Sequence, residues 1–212
     1  MPAGPSTSFS RSRGLQTAAR ILDAAEALFA EQGYAGTSLR DVADRVGLRI
    51  PSLYNHFPSK DALYTAVLER GIAPVLAILS GFADAGADIQ PDSREVVRRV
   101  MRLLAQRPNL PRLVLHETLS GGQRLTPLLR QWIAPTFARA HEMIEMGPGA
   151  NRWRPDQIPL LVLAMYHIVV GYFAIAPLYR QLNGEDLLTK EALDRQTDFL
   201  GEVVVALLEA AP

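Results

Sequence analysis

The sequence predicts an all-helical protein of about nine helices, an N-terminal three-helix helix-turn-helix unit followed by a larger helical region. Three observations carry this reading. Apolar residues recur at three- and four-residue steps along most of the chain, and strand-like alternation is nearly absent. Glycines, prolines and short polar residues punctuate the periodic stretches where helices need caps and stops. With 212 residues, 48% hydrophobic and 21% charged, the chain carries enough apolar material for one or two folded domains and is not disordered by composition.

The first helix spans about Gln16 to Gln32, with Ile21, Ala25, Leu28 and Phe29 on one face and Gly33 placed to end it. A short second helix runs from about Ser38 to Val46, with capping-box spacing between Ser38 and Asp41 and a buried stripe of Leu39, Val42, Ala43 and Val46. Gly47 is the turn. A third helix covers about Ile50 to His56, where Pro51 sits in the one turn that tolerates it and Pro58 follows as the stop. Ser59 caps a fourth helix that starts at Lys60-Asp61 and bends near Pro74. Beyond a Gly/Asp/Ala-rich connection at 81–92, periodic segments follow at about 93–106, 110–120, 124–146, 157–181 and 190–210. The expected organisation is a flexible N-terminal arm at residues 1–15, a helix-turn-helix domain at 16–72 and a second helical domain at 73–212.

Composition excludes several functions. With no cysteine there is no disulfide framework, thiolate metal site or cysteine nucleophile. Basic and acidic residues balance at 22 each, so a nucleic-acid function has to come from a local motif and not from bulk charge. The opening MPAGPSTSFS has neither the charged nor the apolar region of a secretory signal, and the expected location is the cytoplasm. From Ile158 to Tyr179 no residue is charged, which is long enough to span a bilayer. His167 near its middle and Pro159 and Pro177 near its ends favour a buried, dimer-forming helix, with no membrane involved. There is no G-x-S-x-G elbow, phosphate-binding loop or dinucleotide fingerprint. His116-Glu117 and His141-Glu142 lack the two-histidine helical spacing of a zinc site. Neither an enzyme, nor a metal, nor a cofactor is expected.

Two short helices joined by a glycine turn, after a longer amphipathic helix, make a helix-turn-helix whose second helix can enter a major groove. At its start, Arg49 offers a bidentate fork to guanine, and Ile50 and Pro51 offer apolar contact to a thymine methyl. Thr37, Ser38, Ser52, Tyr54, His56 and Lys60 are types that bind phosphate and set register. Asn55 can face a base edge or a phosphate, and Arg40 the groove or the backbone. Tyr54 can equally pack its ring, and His56 can be satisfied locally. Arg11 and Arg13 are placed to follow a neighbouring minor groove. In the C-terminal region, His116, Trp132, Tyr166, His167 and Tyr172 are the polar and aromatic candidates to line an apolar ligand pocket, His167 being expected to be buried and to need a partner.

The segment RILDAAEALFAEQGYAGTSLRDVADRVGLRIPSLYNHFPSKDAL resembles the N-terminal domain of the TetR family of transcriptional regulators. The likeness spans about Thr17 to Leu68 and includes Ile21, Ala25, Phe29, Gly33-Tyr34, Thr37, Val42-Ala43, Gly47, Leu53-Tyr54, His56-Phe57 and Ser59-Lys60. It departs from the family at Arg49-Ile50-Pro51, where Ser before Lys or Gly is common. The resemblance implies a homodimer that presents two reading helices to a palindromic double-stranded DNA operator, and a C-terminal domain that senses a small molecule. The apolar bias suggests a hydrophobic effector, and the regulator that the resemblance implies is expected to be a repressor released by it. The alternative is a small-molecule-binding helical protein whose helix-turn-helix does not read DNA.

Overall fold

The computed structural model describes residues 6–83, 92–130 and 153–208, and within these all regular secondary structure is helical. The helices are α1 (Ser6–Gly36), α2 (Leu39–Val46), α3 (Ile50–Tyr54), α4 (Lys60–Ala83), α5 (Ser93–Ala105), α6 (Asn109–Leu119), α7 (Ile158–Asn183) and α8 (Lys190–Leu208). Residues 125–130 are also helical, and the rest of the segment expected at 124–146 lies outside the described residues. The chain divides into two compact units, residues 1–70 and 71–212, and the dividing point falls inside α4.

In the first unit, α1 starts at Ser6 and not at Gln16. Nothing between those positions stops a helix, since Gly14 costs stability without breaking the ladder and the nearest upstream proline in the sequence is Pro5. The expected end at Gly33 is where the helix breaks: its φ of 72° and ψ of 173° are non-helical, and one further turn runs on to Gly36. Such a backbone suits glycine and strains any residue with a Cβ.

α2 is closed at both ends by local chemistry. The Ser38 hydroxyl accepts from the Asp41 N–H at 3.2 Å, while the Asp41 carboxylate accepts from the Ser38 N–H and hydroxyl, each at 2.7 Å. These bonds from Ser38 hold the Asp41 carboxyl below its ordinary 3.8. A carboxyl depressed in the folded state stabilises the fold above its ordinary value, and that contribution is lost as pH falls through the depressed one. Ser38→Ala is therefore expected to cost about 0.5–2 kcal/mol, read by urea denaturation near neutral pH. It should also flatten the acid limb of the stability profile below pH 4. At the other end Gly47 adopts φ 73°, and the Leu48 N–H donates to the Ala43 carbonyl at 2.9 Å.

The core of this unit is the apolar stripe of α1 (Ile21, Ala25, Leu28, Phe29) against Val42, Ala43 and Val46 of α2, Leu53 of α3, and Leu63, Tyr64, Val67 and Leu68 of α4. Phe29 and Tyr64 meet edge to face at 4.8 Å, and Tyr34 meets Tyr64 at 5.1 Å. The Arg70 guanidinium ties α4 to α1 by donating to Asp23 and Glu26, both at 2.7 Å.

In the second unit the buried side chains include Ile72, Leu76, Met101, Leu104, Leu110, Leu113, Leu125, Leu128, Ile158, Leu161, Phe173, Ala176, Ala192 and Leu200. α6 reaches α4 at Gly71, where a Cβ would stand 2.4 Å from a Leu110 methyl, so a larger residue there makes the Leu110 side chain shift. Glu117 is buried and its carboxylate accepts the Arg124 N–H at 2.8 Å, closing the turn that Gly121 and Gly122 open with positive φ.

Within the single chain, α7 is buried along one face alone. Only Ile158, Leu161, Phe173 and Ala176 are buried, while Leu160, Leu163, Ile168, Ile175, Leu178 and Leu182 stand exposed. With Ala164 and Gly171 also exposed, this is a long apolar face with small residues where a neighbour can approach closely. By length and composition alone, α7 and Lys60–Gly81 of α4 would each cross a bilayer.

Candidate nucleic-acid interface

Three helix starts set the geometry of the helix-turn-helix. α2 begins at its Ser38 cap, α4 at Ser59, whose hydroxyl accepts the Ala62 N–H at 3.0 Å, and α3 at Arg49. Arg49 makes no side-chain cap for its own helix, consistent with a sequence that puts arginine there in place of a capping serine, and Pro51 occupies the first turn. The Arg49 carbonyl accepts from Ser52 at 2.9 Å and from Leu53 at 3.2 Å. α3 is shorter than the expected stretch to His56: it ends at Tyr54, and turn bonds from His56 and Phe57 to the Leu53 carbonyl, at 2.9 and 3.0 Å, close it.

Leu53 is fully buried and pins α3 to the core, which leaves its other faces outward. Arg49, Pro51, Tyr54 and Asn55 are exposed, and Ile50, Ser52 and His56 are half-buried. Tyr54 retains 50% of its surface, so its ring is not a core element. Arg40 is exposed on α2 and makes no salt bridge among the described residues. An open groove of about 610 Å³ brings Ser38 and Arg40 of α2, Ile50 and Tyr54 of α3, and Ser59 and Lys60 of α4 to one surface. The N-termini of α2 and α4 add the partial positive charge and outward N–H groups that favour anions. Lys60 Nζ lies 4.2 Å from the centroid of the Tyr34 ring and 3.5 Å from the Ala35 carbonyl oxygen, which holds a cation at the rim of the groove.

One candidate is corrected by this geometry. Thr37 is 2% exposed, and its hydroxyl points inward to the carbonyls of Gly33 at 3.0 Å and Leu28 at 3.2 Å. It ties the break in α1 to the start of α2, and its hydroxyl is withdrawn from the phosphate set. Arg13 is exposed on α1, so it belongs to a helix and not to an extended arm; the side chain of Arg11 lies outside the described residues.

Among the described residues, two of the effector candidates, Tyr166 and His167, meet edge to face with ring centroids 5.2 Å apart. His116 is exposed near the end of α6, and Trp132 lies outside the described residues. The Tyr166 hydroxyl is 3.2 Å from the Thr118 hydroxyl, and the Tyr172 hydroxyl donates to the Leu187 carbonyl at 2.6 Å, with burial raising its pKa above the ordinary phenol value. His167, expected to be buried, is exposed on the apolar face of α7, and its Nδ1–H donates to the Leu163 carbonyl one turn back at 2.7 Å. An uncharged helix gives periodicity no polar face to contrast with, so the exposed side could not be told from the buried one.

Sequence reading missed the arginines that build the unit. Arg20 donates to the Val46 carbonyl at 2.9 Å, and Arg70 bridges Asp23 and Glu26. The i, i+3 spacing of Asp23 and Glu26 was the one available signal for the second of these. Neither arginine has a sequence signal of its own, because each partner lies far along the chain.

The family model described as bacterial regulatory proteins, tetR family, matches residues 21–67, and that of the tetracyclin repressor-like C-terminal domain matches residues 92–204. The HTH-type transcriptional repressor Rv3405c of Mycobacterium tuberculosis is 42% identical over 181 residues, covering 84% of this chain and 83% of its own. The HTH-type transcriptional regulator RutR of Escherichia coli is 24% identical over 200 residues, 94% of each chain. Among solved structures, a bacterial regulatory protein of the tetR family from Rhodococcus RHA1 superposes with a TM-score of 0.68 at 21% identity, covering 92% of this chain and 98% of that one. A reading helix turned outward from a fully buried Leu53, and family models matched in both units, make this chain a member of the TetR family of DNA-binding transcriptional regulators.

Proposed function

We propose that this chain is a cytoplasmic, homodimeric repressor that holds a near-palindromic operator and is released from it by a small hydrophobic effector. The observation that carries the DNA reading is the outward presentation of Arg49, Ile50 and Pro51 at the start of a helix whose Leu53 is locked in the core. In helix-turn-helix proteins the N-terminal residues of the second helix meet the base edges. Arg49 then reads a guanine, and Ile50 and Pro51 a thymine methyl, while Ser38, Ser52, Tyr54, His56 and Lys60 hold the phosphates on either side. Asn55 meets a base edge or a phosphate, Arg40 the groove or the backbone, and Arg11 and Arg13 follow the adjoining minor groove from α1.

Lys60→Ala is expected to weaken operator and random duplex alike, and to reduce the slope of log affinity against log salt by about one unit. Fluorescence anisotropy at several salt concentrations reads both. An unchanged slope removes Lys60 from the phosphate set.

The apolar face of α7 supports the dimer. A face of leucines and isoleucines this long is costly in water, and a two-fold interface buries it twice over. The repressor reading draws on the 42% identical relative of that name. The effector reading draws on the apolar make-up of the second unit: a ligand that favours one dimer geometry over another shifts the spacing of the reading helices, whereas one that binds both equally does nothing. α4 contributes residues to both units and is the element that carries such a shift. A reporter promoter overlapping the selected operator tests the whole reading. Expression should fall when the protein is present and recover with the effector; a rise in expression on binding makes the protein an activator.

A further inference from the structure

The end of α2 is held from outside the helix-turn-helix. The last carbonyls of a helix have no partner within it. The turn serves two of them, with the Gly47 N–H donating to the Asp44 carbonyl at 3.2 Å and the Leu48 N–H to that of Ala43 at 2.9 Å. The carbonyl of Val46, the final residue of α2, takes its hydrogen bond from the Arg20 guanidinium of α1, at 2.9 Å in a part-buried contact. A cation at a helix C-terminus is also the favourable sign for the dipole.

Only Gly47, Leu48 and Arg49 separate Val46 from the start of α3. α3 has no side-chain cap of its own, and Leu53 is its one buried residue. The direction in which α3 leaves the turn is therefore set where the turn itself is fixed. On the same stretch of α1, Asp23 and Glu26 hold Arg70 of α4. A second link between α1 and α2, the 3.7 Å ion pair of Glu31 with Arg45, lies between exposed side chains and is correspondingly weak.

We propose that Arg20 is a positioning residue for sequence recognition: its hydrogen bond to Val46 fixes the turn between α2 and α3, and so the angle at which Arg49, Ile50 and Pro51 meet the bases. The inference rests on the DNA-reading surface proposed above, and adds to it a residue that touches neither base nor phosphate.

Wild-type protein, Arg20→Ala and Arg20→Lys are each used to select duplexes from one random pool. Each is then titrated against the wild-type selected site, against that site with single base pairs replaced, and at several salt concentrations. The ratio of affinities for the intact and substituted sites is the decisive readout, because a variant that is merely less folded loses affinity for both in equal measure. Arg20→Ala should reduce that ratio about tenfold at the positions nearest the start of α3. The salt slope should stay that of wild type, and Arg20→Lys, which still supplies one donor to the carbonyl, should recover most of the ratio. A wild-type ratio in Arg20→Ala overturns the proposal, whatever its stability. A salt slope lower by about one unit overturns it as well, since it places Arg20 on a phosphate. Enrichment of a site by the wild-type protein establishes the reading surface independently, so the two failures are distinguishable.

Discussion

Arg49→Ala is expected to lower affinity for the operator by about 1–3 kcal/mol and to erase the preference at one base-pair position in each half-site. The effect is large because the Arg49 side chain makes no cap, hydrogen bond or ion pair among the described residues. It occupies the N-cap position of α3 in extended conformation, with φ −77° and ψ 143°, yet its side chain does not cap the helix, and it is exposed. Its guanidinium is thus free to meet guanine O6 and N7 with two parallel hydrogen bonds. Stability should be nearly unchanged, as expected for an exposed side chain away from caps and core. Competition binding against the operator and its single-base variants checks this. Uniform weakening across all sequences, with a lower salt slope, would place Arg49 on the backbone instead.

The second large effect is expected on α7. Leu163 and Leu178 lie on its exposed apolar face, at 51% and 49% of their full exposure, and Gly171 between them leaves room for a helix to approach. Leu163→Glu combined with Leu178→Glu puts four carboxylates into the proposed two-fold interface, where unpaired charge is strongly disfavoured. The variant should sediment as a folded monomer. A monomer engages one half-site and loses the gain from joining two, so operator affinity should drop by about 100-fold or more, while binding to a single half-site changes little. A variant that remains dimeric would assign this face to another role.

The features legible in the sequence were those made by neighbours along the chain. Ser38 with Asp41, Gly47, Pro51 before its stop at Pro58, and the break at Gly33 are local solutions to local backbone needs, and they place α2, the turn and α3. What was not legible depends on partners brought together by folding. Thr37 turns inward because the Leu28 carbonyl waits for it, and Arg20 and Arg70 reach across 26 and more than 40 residues. α1 starts earlier than its apolar stripe because helix can continue through polar residues that nothing interrupts. The effector site was the least legible. Aromatic and histidine side chains on apolar helices look alike whether they line a pocket, bond a neighbour as Tyr166 and Tyr172 do, or face outward as His167 does.

The most direct test of the DNA-reading surface is selection of bound duplexes from a random pool with the purified, folded protein, followed by binding of the enriched sequence at two salt concentrations. A dimeric TetR-family reader should enrich a near-palindrome whose half-sites lie about one helical turn apart, roughly 34–36 Å, or a multiple of it, and should bind it more weakly at the higher salt. Enrichment of no sequence by a folded dimer, with weak binding that ignores salt, would contradict that surface and leave Arg49, Ile50 and Pro51 without a ligand.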